Sequence, residues 1–268
     1  MPRIAAALAG LALLASCATA PEPSIPPEVR ADLAPTGKIR VAINYGNRNF
    51  ARRSASGEPD GVAIDLAREL ARRSGLPVEI VAYPSAGQLT GALKTGAWDV
   101  AFLAYAQARE KEIDFAAAFA EVDATYLVPA GSPFRNAADV DRAGVRIAVS
   151  AKGGNDLFLS RTLKQAQLVR VASSAGASSF KVFVSDKLDA YAGLKPTLIE
   201  ESAKLPGSRV LEGRYTVILY SVGVVRGRAA GARYLRDFIE DAKASGLLAR
   251  LIEKNGVPGL SPAPRASR

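Results

Sequence analysis

The stretch GVAIDLARELARRSG at 61–75, continued by QLTGALKTGAWDVAFLA at 88–104 and QAREKEIDF at 107–115, decides the fold. Ala63, Leu66, Ala67, Leu70 and Ala71 recur at close to helical spacing, so the first segment is a helix with one apolar face. Gly75 and Pro77 end it and open a short apolar strand at 78–82. A second helix around 89–94 runs through Thr95-Gly96 into a strand at 99–104. Arg109 lies just past that strand, on the run into a further helix. Open α/β sheets hold ligands at the carboxyl ends of their strands, so a cation there is placed to meet an anion.

Working outward, strand patterns at 39–43, 146–149, 168–171, 188–191 and 217–225 alternate with helical ones, ending in helices at 229–244 and 247–254. That alternation specifies an α/β chain, and 268 residues supply ample core for one large domain or two modest ones. The chain has no histidine, which removes histidine triads, histidine metal ligands and a histidine pH switch. Cys17 is the single cysteine, so no disulfide framework or CxxC pair exists within the chain. No phosphate-binding GxxxxGK[ST] loop, metal-ligand cluster or solenoid repeat is present, and no cofactor is expected. The formal net charge of +9 is spread over helices (Arg68, Arg72, Arg73, Arg161, Lys164, Arg233, Arg236) with acids interspersed. Without an aromatic-basic platform it reads as a solvated surface, not a nucleic-acid site.

The N-terminus reads as an export signal over 1–16, with Arg3 followed by an apolar run from Ile4 to Ala15. Two readings of Leu14-Ala15-Ser16-Cys17 stand: a bacterial lipobox, with Cys17 lipidated as the membrane anchor, or an ordinary signal peptide cut near Ala18 or Ala20. Residues 17–36 include PEPSIPPEVRADLAPT, a proline-rich stretch expected to form a semi-extended spacer. A loose basic tail is expected at 259–268.

Six motifs in order resemble the type II periplasmic solute-binding proteins of family 3, which serve polar amino acid ABC transporters. They are G-x-x-x-D-L-A at 61–67, L-x-x-G-x-x-D-V at 93–100, AREKEIDF at 108–115, RIAVSAKGG at 146–154, DKLDA at 186–190 and YSVGVVRG at 220–227. The resemblance covers 37 to about 256. It implies a two-lobed type II fold with a two-strand hinge: lobe 1 from 37–120 and 222–258, lobe 2 from 125–217, and a cleft that closes on a ligand. It also implies an extracytoplasmic receptor whose partners are a small anionic organic ligand, a carboxylate or an amino-acid-like molecule, and an inner-membrane ABC permease.

In the family, an arginine at the place of Arg109 pairs with the ligand's carboxylate, for which a guanidinium fork is suited. The alternative is a helix-face arginine paired with Glu112 or Asp114. Gly153 and Gly154 follow a strand and open a helix, whose free backbone N–H groups hold an anion; Asn155 adds a side-chain bond or caps the helix. Phe50 lies where the family sets an aromatic beside the ligand, with core packing as the alternative, and Asn44 and Asn47 share its loop. The departures are informative. Leu194 stands where the family's amine-binding acid would fall, and Ala101, Phe102, Ala104 and Ala106 replace the expected small hydroxyl residues. Leucine cannot compensate a buried ammonium. The expected ligand is therefore a small carboxylate without a free amine, unless Asp156 or Asp189 supplies the charge. Two other functions fit the scaffold: a sensor or structural lipoprotein, with the cleft filled by Phe102 and Leu194, and a cyclohexadienyl-dehydratase-like enzyme, with Asp156 as general acid.

Overall fold

The computed structural model describes residues 25–172 and 178–266. The export signal at 1–16, Cys17, the spacer's first residues to 24 and the last two residues lie outside them. The first half holds α1 (Pro27–Leu33), β1 (Ile39–Asn44), β2 (Arg52–Arg53), β3 (Pro59–Asp60), α2 (Val62–Ser74), β4 (Val78–Tyr83), α3 (Ala86–Gly91), β5 (Val100–Ala104) and β6 (Ile113–Val128). Then come β7 (Arg146–Ser150), α4 (Gly154–Thr162), β8 (Gln167–Val171), α5 (Ser179–Ser185), β9 (Ala190–Leu194), α6 (Lys195–Ser202) and β10 (Arg209–Val210). The chain ends with β11 (Thr216–Val225), α7 (Ala229–Ala244), α8 (Leu247–Asn255) and β12 (Leu260–Pro262).

The main ladder runs β4-β1-β5-β11-β6-β9-β7-β8. At one end β1 pairs in parallel with β4 and β5, and at the other β7 pairs in parallel with β8 and β9. Between these units run the long antiparallel strands β6 and β11, paired from Ile113–Val225 to Ala124–Thr216. This is the two-lobed α/β architecture with a two-strand connection. The β6–β11 register shifts between Tyr220 and Ser221 and again between Val222 and Gly223. Such irregularities bend a strand and sharpen its twist, here where one unit gives way to the other.

Each lobe has an apolar core on both faces of its sheet, because side chains alternate along a strand. Ile39, Val41 and Ile43 of β1 meet Leu66 and Leu70 of α2 and Leu235 and Ile239 of α7, while Ala42 faces Leu89, Trp98 and Leu103. In the second lobe Ile147 and Val149 join Tyr126, Val128 and Leu159, while Ala148 meets Phe183 and Leu198.

Three sequence expectations are corrected. The spacer is not extended over its second part: Pro27, at the start of α1, has its ring φ already set for a helix. Val29 and Leu33 are buried, and α1 packs on α7. The tail is not loose from 260 to 263: β12 pairs with β6 through Leu260–Val122 and Pro262–Ala120, and Ala263 donates its N–H to Phe119 O. Finally, Arg109 leads into no helix. It ends a single 3-10 turn, Gln107–Arg109, before the long strand β6.

Candidate ligand site between the lobes

The carboxyl ends of β1, β5, β7 and β9 converge on one cavity of about 130 Å³ between the lobes. Asn44, Phe50, Phe102, Ala104, Gly153, Gly154, Asn155 and Leu194 all line it, so eight of the nine ligand positions expected from sequence come together. The ninth, Arg109, is not on the wall. Asn47, Ser85, Ser150, Tyr191, Thr197 and Tyr220 complete the polar lining. No lysine, arginine, aspartate or glutamate lines it among the described residues.

Lobe 1 builds an aromatic floor. Phe50 stacks on Tyr220 with centroids 3.8 Å apart, and both Phe50 and Phe102 meet Phe119 edge-on at 5.6 and 5.5 Å. Gly61 permits the approach of the Phe50 loop to α2. A Cβ there would sit 2.4 Å from Phe50 O, and its φ of 123° suits only glycine. Phe50 is thus both packed against Tyr220 and Phe119 and on the cavity wall. Phe102 and Leu194 line the cavity without filling it.

The lobes touch across the cleft. Arg109 reaches from lobe 1 with Nη1 donating to Ala104 O and Nη2 to Lys152 O, the latter at 2.9 Å. Asn49 Nδ2 donates to Thr197 Oγ1 at 2.9 Å, and Arg161 donates to Gln107 at 2.9 Å. Gly154 abuts Ala104, whose Cβ would lie 2.9 Å from any Cβ added at 154. Arg109 is 6% exposed and forms no ion pair among the described residues, Glu112 and Asp114 included. Burial pushes its guanidinium down to about 10, against a smaller opposing effect of Tyr220. An uncompensated cation therefore stands just outside a neutral wall.

Asp156 is committed elsewhere. It accepts from Lys152 N at 2.8 Å, Ser160 Oγ at 3.0 Å and Arg170 Nε at 2.8 Å. With Arg109 on the carbonyl and Asp156 on the amide, Lys152 is held at a left-handed φ of 57°. Asp156 thus shapes the turn before α4, and it does not line the cavity as the dehydratase reading requires. Asp189 binds Arg146 N at 2.8 Å, at the far end of β7. Neither acid replaces the one missing at Leu194.

Residues 39–257 match the family described as bacterial extracellular solute-binding proteins, family 3. The chain belongs to that family. As a solute-binding protein it shares its fold with solved structures of low identity. The solute receptor for L-cysteine of Neisseria gonorrhoeae superposes with a TM-score of 0.72 at 21% identity, covering 86% of this chain and 94% of that one. A mutant of ArgBP from T. maritima gives 0.70 at 22%, covering 84% and 98%. The ancestral amino acid-binding protein AncCDT-1, a precursor of cyclohexadienyl dehydratase, gives 0.67 at 23%, covering 81% and 94%. No curated protein matches the chain. No helix among the described residues is long and apolar enough to cross a membrane.

Sequence reasoning missed Ser85, Ser150, Thr197, Tyr191 and Tyr220. Ser85 and Ser150 were findable, since each sits at or just past the carboxyl end of a strand. Thr197 and Tyr220 come from the first turn of α6 and from the bent part of β11, positions that only the tertiary fold brings to the cleft.

Proposed function

We propose that this solute-binding protein is the extracytoplasmic receptor of an ABC transporter and captures a small carboxylate lacking a free amine. The observation that carries the reading is the charge of the site: a wall free of acids, built partly from the first turns of α2, α4 and α6. Helix N-termini carry partial positive charge and unbonded N–H groups, which favour an anion. Arg109, lacking an acidic partner, adds a full charge nearby. When the lobes part, Lys152 O withdraws with lobe 2, and the Arg109 fork is free to take the carboxylate. A buried ammonium has no counterion on this wall, so α-amino acids are disfavoured by several kcal/mol. The solute would be handed to an inner-membrane permease, with the receptor held to the membrane through lipidated Cys17.

The test is a thermal-shift screen of the purified protein against amine-free carboxylates and amino acids at millimolar concentration. A ligand that binds only the folded state raises Tm by mass action. The expected result is a rise with carboxylates that disappears in Arg109→Ala. A rise with amino acids alone, or none with any carboxylate, would overturn the ligand class.

A further inference from the structure

The hydrogen-bond partners behind the wall fix its polarity, an inference that rests on the receptor reading above. Asn155 Oδ1 accepts the Tyr215 hydroxyl at 2.9 Å, which leaves the Asn155 Nδ2 donors for the cavity. Asn44 Oδ1 accepts Gly46 N at 2.9 Å, with the same consequence for its own amide. Three hydroxyl oxygens on the wall also accept already. Thr197 takes Asn49 Nδ2 at 2.9 Å, Tyr220 takes Asn47 Nδ2 at 2.6 Å, and Ser85 takes Gln88 N at 3.2 Å. Each is left to donate its own proton. Asn47 Oδ1 and the hydroxyls of Ser150 and Tyr191 are the side-chain groups without such an assignment.

We propose that the wall selects a carboxylate whose other polar group only accepts, an oxo acid, and that Tyr215 is the positioning residue that sets this preference through Asn155. A carbonyl oxygen takes the donors directed into the cavity. An amine or hydroxyl in its place brings protons to donate, and of the described wall amides only Asn47 has its oxygen left to take them. Sites built around buried polar groups discriminate strongly on this basis, since a mismatch leaves groups unpaired. The Tyr215 ring packs against those of Tyr126 and Phe158, at centroid distances of 4.7 and 6.0 Å, so its hydroxyl is held in place by packing.

The test measures dissociation constants by calorimetry for matched oxo, hydroxy and amino acids of three and five carbons: pyruvate, L-lactate and L-alanine, then 2-oxoglutarate, L-2-hydroxyglutarate and L-glutamate. In at least one series the oxo acid should bind at least tenfold tighter than its amino and hydroxy counterparts. In Tyr215→Phe, Asn155 is free to turn its amide, and that ratio should fall below about threefold while the oxo acid still binds. Comparable binding of all three members of the series that binds would overturn this inference and leave the carboxylate reading standing. No binding in either series, where the thermal-shift screen finds other carboxylates, would overturn the oxo-acid assignment alone; silence in both experiments would sink the receptor reading too. An unchanged ratio in Tyr215→Phe would remove the positioning role. Should that variant not fold, Asn155→Asp replaces the donor by an anionic acceptor. It should weaken the oxo acid more than tenfold, and an unchanged oxo-acid affinity in it would overturn the proposal.

Discussion

Leu194 sits on the cavity wall as the residue capping α6, where an aspartate would suit both the backbone amides and the helix dipole. Leu194→Asp should therefore fold and should return the missing anion to the wall. The expected outcome is a new Tm rise with L-alanine or L-glutamate and at least a tenfold loss of carboxylate affinity, read by calorimetry. Arg109 offers the converse experiment. Burial lowers its pKa to about 10, a cost to the charged form on the order of 3 kcal/mol, comparable with the loss of two charge-assisted bonds to carbonyls. These terms nearly cancel, so Arg109→Met should move Tm by only a few degrees, while the ligand-induced shift disappears. A collapse of Tm would mean that the lobe-bridging bonds dominate. Most single wall positions were legible because each lies at a strand's end or beside a glycine turn. The Tyr215–Asn155 bond was not, since it joins residues 60 apart in sequence whose meeting depends on the whole second lobe.

At the scale of elements, the contact between α4 and β5 depends on the bare Cα of Gly154. An added methyl would stand 2.9 Å from Ala104 Cβ, too close for two carbons, so something must shift, and the cheapest relief is a slight parting of the lobes. Gly154→Ala should give a larger radius of gyration by X-ray scattering and weaker ligand binding, with Tm nearly unchanged. Within lobe 1, Asp99 ties β5 to β1 and α7, accepting from Arg40 Nε at 2.8 Å and Arg228 at 2.9 Å. Burial pushes its carboxyl up, but the bonds from Arg40 and Arg228 outweigh it and hold it below the usual range. Its folded pKa being depressed, its stabilisation is present above the unfolded value and lost as pH falls through the folded one. Acid unfolding of Asp99→Asn should thus be less steep below about pH 4, from a starting stability about 3–5 kcal/mol lower. The helices α2, α7 and α8 were readable from their 3.6-residue periods. The strand β6 was not among the strand patterns read from the sequence, although Ala120, Val122, Ala124, Tyr126 and Val128 alternate into first one core and then the other. The helix α1 and strand β12 escaped because prolines suggested extended or loose chain, whereas burial against α7 and β6 decides the outcome.

For the whole molecule, alkaline pH is the informative axis. Burial raises the hydroxyl pKa of Tyr126, Tyr191, Tyr215 and Tyr220. Each contributes stability that is complete below the unfolded value and is lost as pH climbs towards the folded one. Arg109 acts oppositely, its burial cost easing above about 10, but it is one group against four. Tm should hold to about pH 9 and fall above about pH 10. Tyrosinate absorbance should appear together with unfolding; ionisation of these tyrosines in the still-folded protein would contradict their burial.

The pairing of β12 with β6 has a mechanical consequence. Leu260, Ser261 and Pro262 lie along Val122, Glu121 and Ala120, the part of β6 that passes from one lobe to the other, so a splint is bound along one side of the pivot. Any rotation of the lobes would then be steered into β11, whose register slips beside Tyr220, which would make the opening angle narrow and directional. Removing residues 260–268 should loosen the splint and broaden the distribution of distances between fluorophores placed one on each lobe. The C-terminus would thus set the stroke of the receptor without touching what it carries.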